Sequence, residues 1–276
     1  MTIARPMHGS HVRWLAALAF AAALGCSKKE APANLAAVSS ASLEAPKSAS
    51  SGAVIVSVDT PTSSVKFLMD SPLEKIDGDA PGSASGELAL DLGDLSKSTG
   101  LVRIDLDKLS LYQQKRPDGS GDYQARTKNP LQNEHARDWL QLVPHEGEVT
   151  PEQAAQNRTA EFRIEKVEPA ASSVLALSGP ERKVVATVSG TLRLHGRQAP
   201  ESAKVELDFH FTGDHFDSVG VKTLEPFSVD LEKFEIHPRD GAGKLVKSIT
   251  DALSSTLKGK VKSEAPVSIE LTAKPK

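Results

Sequence analysis

Side chains able to do chemistry are sparse in this 276-residue chain. Asp208, His210, Asp214, His215 and His237 form the densest run of metal-ligand types, and the first two share one face of an alternating segment. A structural or catalytic zinc needs three or four such groups converging, and neither a His-Glu-x-x-His nor a His-x-His pair is present to begin one. Histidines on a polar strand face are ordinarily solvated, so no metal site is expected. "GAGK" (Gly241–Lys244) lacks the upstream glycine and the hydroxyl of a phosphate loop. No Gly-x-Ser-x-Gly occurs, and the one cysteine, Cys26, stands near the start. The expectation is a protein that is not an enzyme and carries no cofactor of the catalytic kind.

The residues before Cys26 explain that cysteine. Arg5 and Arg13 lie in an acid-free opening, and Trp14–Leu24 is a continuous apolar run of 11 residues. Such a run is too short to span a bilayer and fits the apolar core of an export signal. "ALGC" then resembles the lipobox of bacterial lipoproteins, with Ala23 where that pattern prefers leucine. The resemblance implies that the Cys26 thiol becomes a thioether to diacylglycerol, with fatty acyl chains such as palmitate holding the protein on a membrane. Several chains on one residue anchor stably where one does not. A plain secretory signal with an incidental cysteine is the alternative. The lipoprotein reading places the protein in the cell envelope facing the periplasm, with inner and outer membrane both open.

Removing residues 1–25 takes away two arginines and no acid, so the formal net charge moves from −3 to −5. That charge, with 4% aromatic residues, offers neither phosphate contacts nor stacking platforms, and no nucleic-acid partner is expected. Residues 26–52 are rich in Ser, Ala, Pro and Lys and read as the lipidated cysteine and a flexible tether. A coil of that length reaches roughly 25–30 Å. Residues 53–276 then form one domain.

Period-2 alternation dominates that domain. It is clearest in "KVVATVSGTLRL" (183–194) and "SAKVELDFHF" (202–211), which flank the polar break "HGRQAP". "VIVSV", "SSVKFLM", "SGELALDL", "GLVRIDLDKL", "AEFRIEKVE", "PFSVDLEKFEI" and "APVSIELTA" repeat the pattern, giving eight or nine strands apolar on one face. Strands of that kind make an antiparallel sheet that must close to hide its apolar face. Helical spacing interrupts it three times. "NPLQNEHARDWLQL" (129–142) and "TPEQAAQ" (150–156) carry capping residues and an early proline, and "GKLVKSITDALSSTLKG" (243–259) is amphipathic. From Leu109 to Ala160 no strand is evident, and a connection of that length reads as a lid or binding region.

"DTPTSSVKF" (59–67) and "GTLRLHGRQAP" (190–200) resemble the opening and the His-Gly-x-x-x-Pro hairpin of the YceI-like polyisoprenoid-binding family. The strands after them fall in the same order, so the similarity covers about residues 54–273. Two departures stand out. "HARDWLQL" lacks the histidine that the family's Arg-Asp-x-His-Leu segment carries, and the loop before the last strand is enlarged. The resemblance implies an all-β, eight-stranded antiparallel, lipocalin-like barrel with short helices in the long crossover and before the last strand. It also implies a long apolar ligand in the bore, an isoprenoid lipid or a quinone.

The inner-face residues expected to line that bore are Phe67, Leu90, Ile104 and Leu106 from the first half of the domain. Phe162, Ile164, Leu192 and Leu194 come from the middle, and Leu207, Phe209, Phe227 and Val229 from the last part. Charged residues are nearly absent from the inner face so read. Trp139 and Tyr123 are candidates to cap a mouth, with Trp139 favoured as a helix anchor, and His195 is expected to make a turn hydrogen bond. The partners expected are an isoprenoid or other long-chain lipid and a membrane, with a homodimer left open. The competing reading is an interaction lipoprotein with a filled barrel, presenting residues 109–160 to a protein.

Overall fold

The computed structural model describes residues 37–38, 41–46, 50–70, 74–116, 121–237 and 264–276. Cys26 and the helix expected over 243–259 lie outside them. The strands are β1 (Val54–Val58), β2 (Ser64–Asp70), β3 (Glu74–Pro81), β4 (Ala84–Leu90), β5 (Thr99–Asp105), β6 (Ser110–Lys115), β7 (Thr159–Pro169), β8 (Glu181–Leu194), β9 (Arg197–Thr212), β10 (His215–Thr223), β11 (Phe227–Asp230) and β12 (Glu264–Pro275). Two helices, α1 (Pro130–Trp139) and α2 (Pro151–Asn157), stand between β6 and β7.

The sheet closes on itself. The antiparallel pairings run β1–β4–β5–β7–β8–β9–β10–β12 and return to β1, a ring of eight strands. Closure removes the edges that a sheet of this size would otherwise leave exposed. The long β12 also pairs β2 and β11 with its first half, and β2 pairs β3, which pairs β6. The wall therefore continues past the ring towards α1. The alternating sequence dictates the orientation of each strand. In β8, Val184, Ala186 and Val188 are buried while their neighbours are not, and in β9 Val205, Leu207, Phe209 and Phe211 repeat this.

The β8–β9 turn is tighter than "HGRQAP" suggests. Leu194 pairs Arg197, so only His195 and Gly196 form the loop, at φ 51° and 67°. Two consecutive positive φ values match the right-handed twist of a two-residue hairpin, which is where Gly is preferred.

Three strands escaped the alternation, each for a local reason. In β3 only Ile76 and Ala80 are apolar among acids, and Arg126 ties Asp77 and Asp79 at 2.6 and 3.1 Å. In β6 the inward positions are Leu111 and Gln113, so the expectation of no strand between 109 and 160 is corrected. In β10 the register shifts beside Phe211, so Phe216 and Val219 fall out of phase. Leu106 is in a 3-10 turn, not in a strand, because the Asp105 carboxylate accepts the Asp107 N–H at 3.0 Å and ends β5.

Both helices in the crossover start where their caps place them. Asn129 accepts from the N–H groups of Leu131 and Gln132, and Thr150 and Gln153 form a reciprocal capping box. Part of the segment read as a tether is seated on the barrel. Ala37–Val38 pairs Gln198–Arg197 on β9, and Leu43 is buried.

Candidate functional site

The barrel is packed at one end and hollow beyond it. Phe209, Phe211 and Phe216 meet with ring centroids 6.1 and 5.6 Å apart, against buried Val174, Leu92 and Leu95. Above this plug lies a cavity of about 290 Å³. Inner-face residues of the ring and its extension line it, and the wall is almost wholly aliphatic and aromatic. Phe67, Leu90, Ile104, Leu106, Phe162, Ile164, Leu192, Leu194, Leu207, Phe227 and Val229 all border it. Phe209 does not. It is wholly buried in the plug, one inward position deeper than Leu207. Val65, Ile76, Leu111 and Ile269 also line the cavity. Ile76 and Leu111 belong to the unexpected strands, and inward spacing from Phe67 would have found Val65.

A second apolar cluster covers the far end. Ala199, Val229, Leu231, Phe234, Ile236 and Ala265 form it, with Trp139, Leu140, Leu192 and Phe227 packed against it. Trp139 reaches this place through α1, which Asn133 fixes to β6. Its amide accepts the Leu111 N–H at 2.8 Å and donates to the Leu111 carbonyl at 3.0 Å, a side chain standing in for a strand partner. Trp139 and Leu140, at the end of that helix, line the cavity. The Trp139 Nε1 is buried and has no hydrogen-bond partner among the described residues. Tyr123 is elsewhere, with Lys75 and Arg116 at 4.3 and 4.5 Å from its ring centre. His195 keeps the turn role, its Nδ1 lying 2.8 Å from the Phe234 carbonyl oxygen. Burial holds this imidazole below its ordinary pKa, partly offset by that carbonyl.

Two carboxylates interrupt the wall. Glu161 belongs to its outer side, where it is 2% exposed and lies beside Arg103 at 3.1 Å and Arg193 at 3.8 Å. The Ser42 hydroxyl and the Leu43 N–H, the latter at 2.7 Å, donate to the same carboxylate, so residues 42–43 cover the cluster. Glu201 has the parity of the inner face, is half-buried, and also lines an open groove on the barrel surface with Glu165, Lys166 and Ser189. It shares a face with Ala199, Ala203 and Val205 and stands opposite Gly190 in register. Gly190 has no side chain to offer there, and a Cβ would lie 1.9 Å from the Arg163 carbonyl oxygen, at the bulge between β8 and β7. Burial pushes the Glu201 carboxyl above its ordinary pKa. Lys233 opposes that rise, and Asp230 adds to it. Glu201 departs from the expectation of an inner face nearly free of charge, because β9 begins at Arg197, inside the polar break, and carries the alternation through it. Stepping back by two from Val205 would have reached it.

Of the metal-ligand types singled out above, Asp208 lies 3.2 Å from Lys183 and 4.0 Å from His210. No three His, Cys, Asp or Glu residues converge on one point among the described residues.

A family model described as the YceI-like domain matches residues 56–273. No curated protein matches the chain. Among solved structures, a polyisoprenoid binding domain from Saccharophagus degradans implicated in plant cell wall breakdown is 15% identical. The match covers 81% of this chain and 99% of that one, with a TM-score of 0.47. BcnA of Burkholderia cenocepacia is also 15% identical over 78% of this chain and 98% of its own, with a TM-score of 0.44.

Proposed function

We propose that this chain, which belongs to the family of YceI-like domains, binds or carries a polyisoprenoid or a similar long-chain amphiphile such as a quinone in the bore of its barrel. The observation that carries the reading is the apolar cavity of about 290 Å³, bounded by eleven of the twelve residues expected to line it. Water is poorly held by such a wall, which offers few partners for its hydrogen bonds. An apolar chain entering it is stabilised by about 0.8 kcal/mol per buried methylene, so ten methylenes supply roughly 8 kcal/mol before entropy costs, enough for micromolar affinity. A filled barrel serving only as a scaffold would leave this space unexplained.

The same reading places the protein in the cell envelope, anchored through Cys26. Its support is the eleven-residue apolar run ending two residues before the cysteine. The test is native mass spectrometry of the chain purified from bacterial envelopes, followed by organic extraction. A stoichiometric isoprenoid or quinone supports the proposal. A mass that stays free of ligand after incubation with such lipids overturns it.

A further inference from the structure

We propose that the long-chain ligand enters and leaves the cavity sideways, through a seam in the barrel wall between β9 and β11. This rests on the lipid-binding reading above. Both ends of the bore are closed. The plug of Phe209, Phe211 and Phe216 fills one, and the apolar cluster around Phe234, with Trp139 packed against it, covers the other. Passage through either end would dismantle close-packed side chains. Around most of the ring the wall is held by backbone hydrogen bonds between paired strands, and parting it there would leave several such groups unpaired at once.

The exception follows from the alternation of β9. Leu194 and Arg197 close a two-residue hairpin as a hydrogen-bonded pair, so Gln198, Pro200, Ser202 and Lys204 turn their backbone groups away from β8. At the two ends of that row the groups are met. Gln198 pairs Ala37, and the Lys204 carbonyl accepts the Leu224 N–H at 2.9 Å. Between these points, over about 20 Å of strand, nothing pairs β9 on this side among the described residues. Pro200 stands in the gap and has no N–H to donate, as suits an open strand edge. β11 lies alongside, but among the described residues it pairs β12 alone.

The gap reaches the inner face. Glu201 and Ala203 are half-buried, whereas Ala199 and Val205, before and after them on the same face, are 4% and 5% exposed. On β11 Phe227 is half-buried too, and both Ala203 and Phe227 border the cavity. Side-chain contact holds the two strands together, through Ala199 in the cluster with Val229 and Leu231. Such contacts are non-directional, so an apolar chain passing between the strands replaces those it displaces. The seam is pinned at both ends. His195 Nδ1 lies 2.8 Å from the Phe234 carbonyl oxygen and Arg197 pairs Glu235 at one end, and the Lys204–Leu224 hydrogen bond holds the other. Opening is thereby confined to the stretch between them.

The experiment uses the full chain carrying Cys26→Ser, so that only introduced thiols react, and geranylgeraniol as the probe. Ser202→Cys with Ser228→Cys places one thiol on the exposed side of each strand of the seam, and a short cleavable bis-maleimide joins them. The control joins Thr187→Cys to Glu168→Cys, register partners across the hydrogen-bonded β8–β7 pair. Native mass spectrometry, which separates joined from unjoined chains, follows uptake by stripped protein. It also follows release to empty vesicles from protein loaded before joining. Joining the seam is expected to slow both steps about tenfold or more, and cleaving the linker should restore them. The joined control is expected to exchange lipid as the unjoined chain does. Seam-joined and control chains that exchange lipid at equal rates overturn the proposal, while lipid binding itself survives. If geranylgeraniol binds none of the unjoined chains, the lipid-binding reading fails and this inference fails with it.

Discussion

Ala203 offers a direct way to close the cavity without touching the packed end. It lies on the inner face of β9, opposite Val188 in register, and borders the open space. Replacing it with Trp adds an aromatic side chain of the kind that buries about 150–250 Å², directed into a cavity of about 290 Å³. A chain of ten buried methylenes that loses access to half of them forfeits about 4 kcal/mol. That corresponds to about a thousandfold in Kd. The cost to the fold is smaller, because the new side chain grows into vacant space. Overpacking a filled core costs typically 1–3 kcal/mol, and in a domain of this size each kcal/mol moves Tm by roughly 2–4 °C. The assay is titration of wild type and Ala203→Trp with geranylgeraniol by native mass spectrometry, beside a thermal melt by circular dichroism. A Kd for the variant within about threefold of wild type, with the fold intact, would refute the assignment of this cavity as the binding site.

Glu201→Gln is expected to raise Tm at about pH 8 and to leave it unchanged near pH 4. Burial raises the Glu201 pKa, so its ionisation withdraws stability as pH rises through the folded value, and the amide escapes that loss. An equal effect at both pH values would contradict the burial argument. Glu161→Ala takes the carboxylate from beside the Arg193 guanidinium, which is 3% exposed. A loss of about 3–5 kcal/mol is expected, read as a fall in Tm of about 10 °C or more. A fall of only a degree or two would show that the cluster adds little. Cys26→Ser should abolish metabolic labelling with an alkyne palmitate analogue and release the protein from envelope membranes. Retention of label would place the acyl chains elsewhere.

Much of the barrel was legible in the chain. Strong period-2 runs such as "KVVATVSGTLRL" dictate which side chains face inward, because successive residues in a strand point to opposite faces. Leu192, Leu194, Phe162 and Ile164 thus follow from local pattern alone, and the caps Asn129 and Thr150 mark both described helices. What failed was any step needing a partner strand. In β3, acids on the outer face are balanced by Arg126, some 50 residues away, and no local rule reports that. In β10 the bulge that puts Phe216 in the plug exists only through the pairing with Phe211.

The division of labour at the cavity follows the same line. Sequence by itself determined an antiparallel β domain with an apolar inner face, because alternation is a property of single strands. It also determined that Glu201 has the parity of Val205 and Leu207. Only the tertiary structure decided that the bore is plugged at the Phe209 end and hollow above it, since packing density depends on which side chains from eight strands share a level. It alone decided that residues 42–43 cover Glu161 while Glu201 is left without a partner. Hydrogen-bond satisfaction at Glu161 is settled by contacts more than a hundred residues apart, and beside Glu201 no strand pairs residues 199–204 on that side among the described residues.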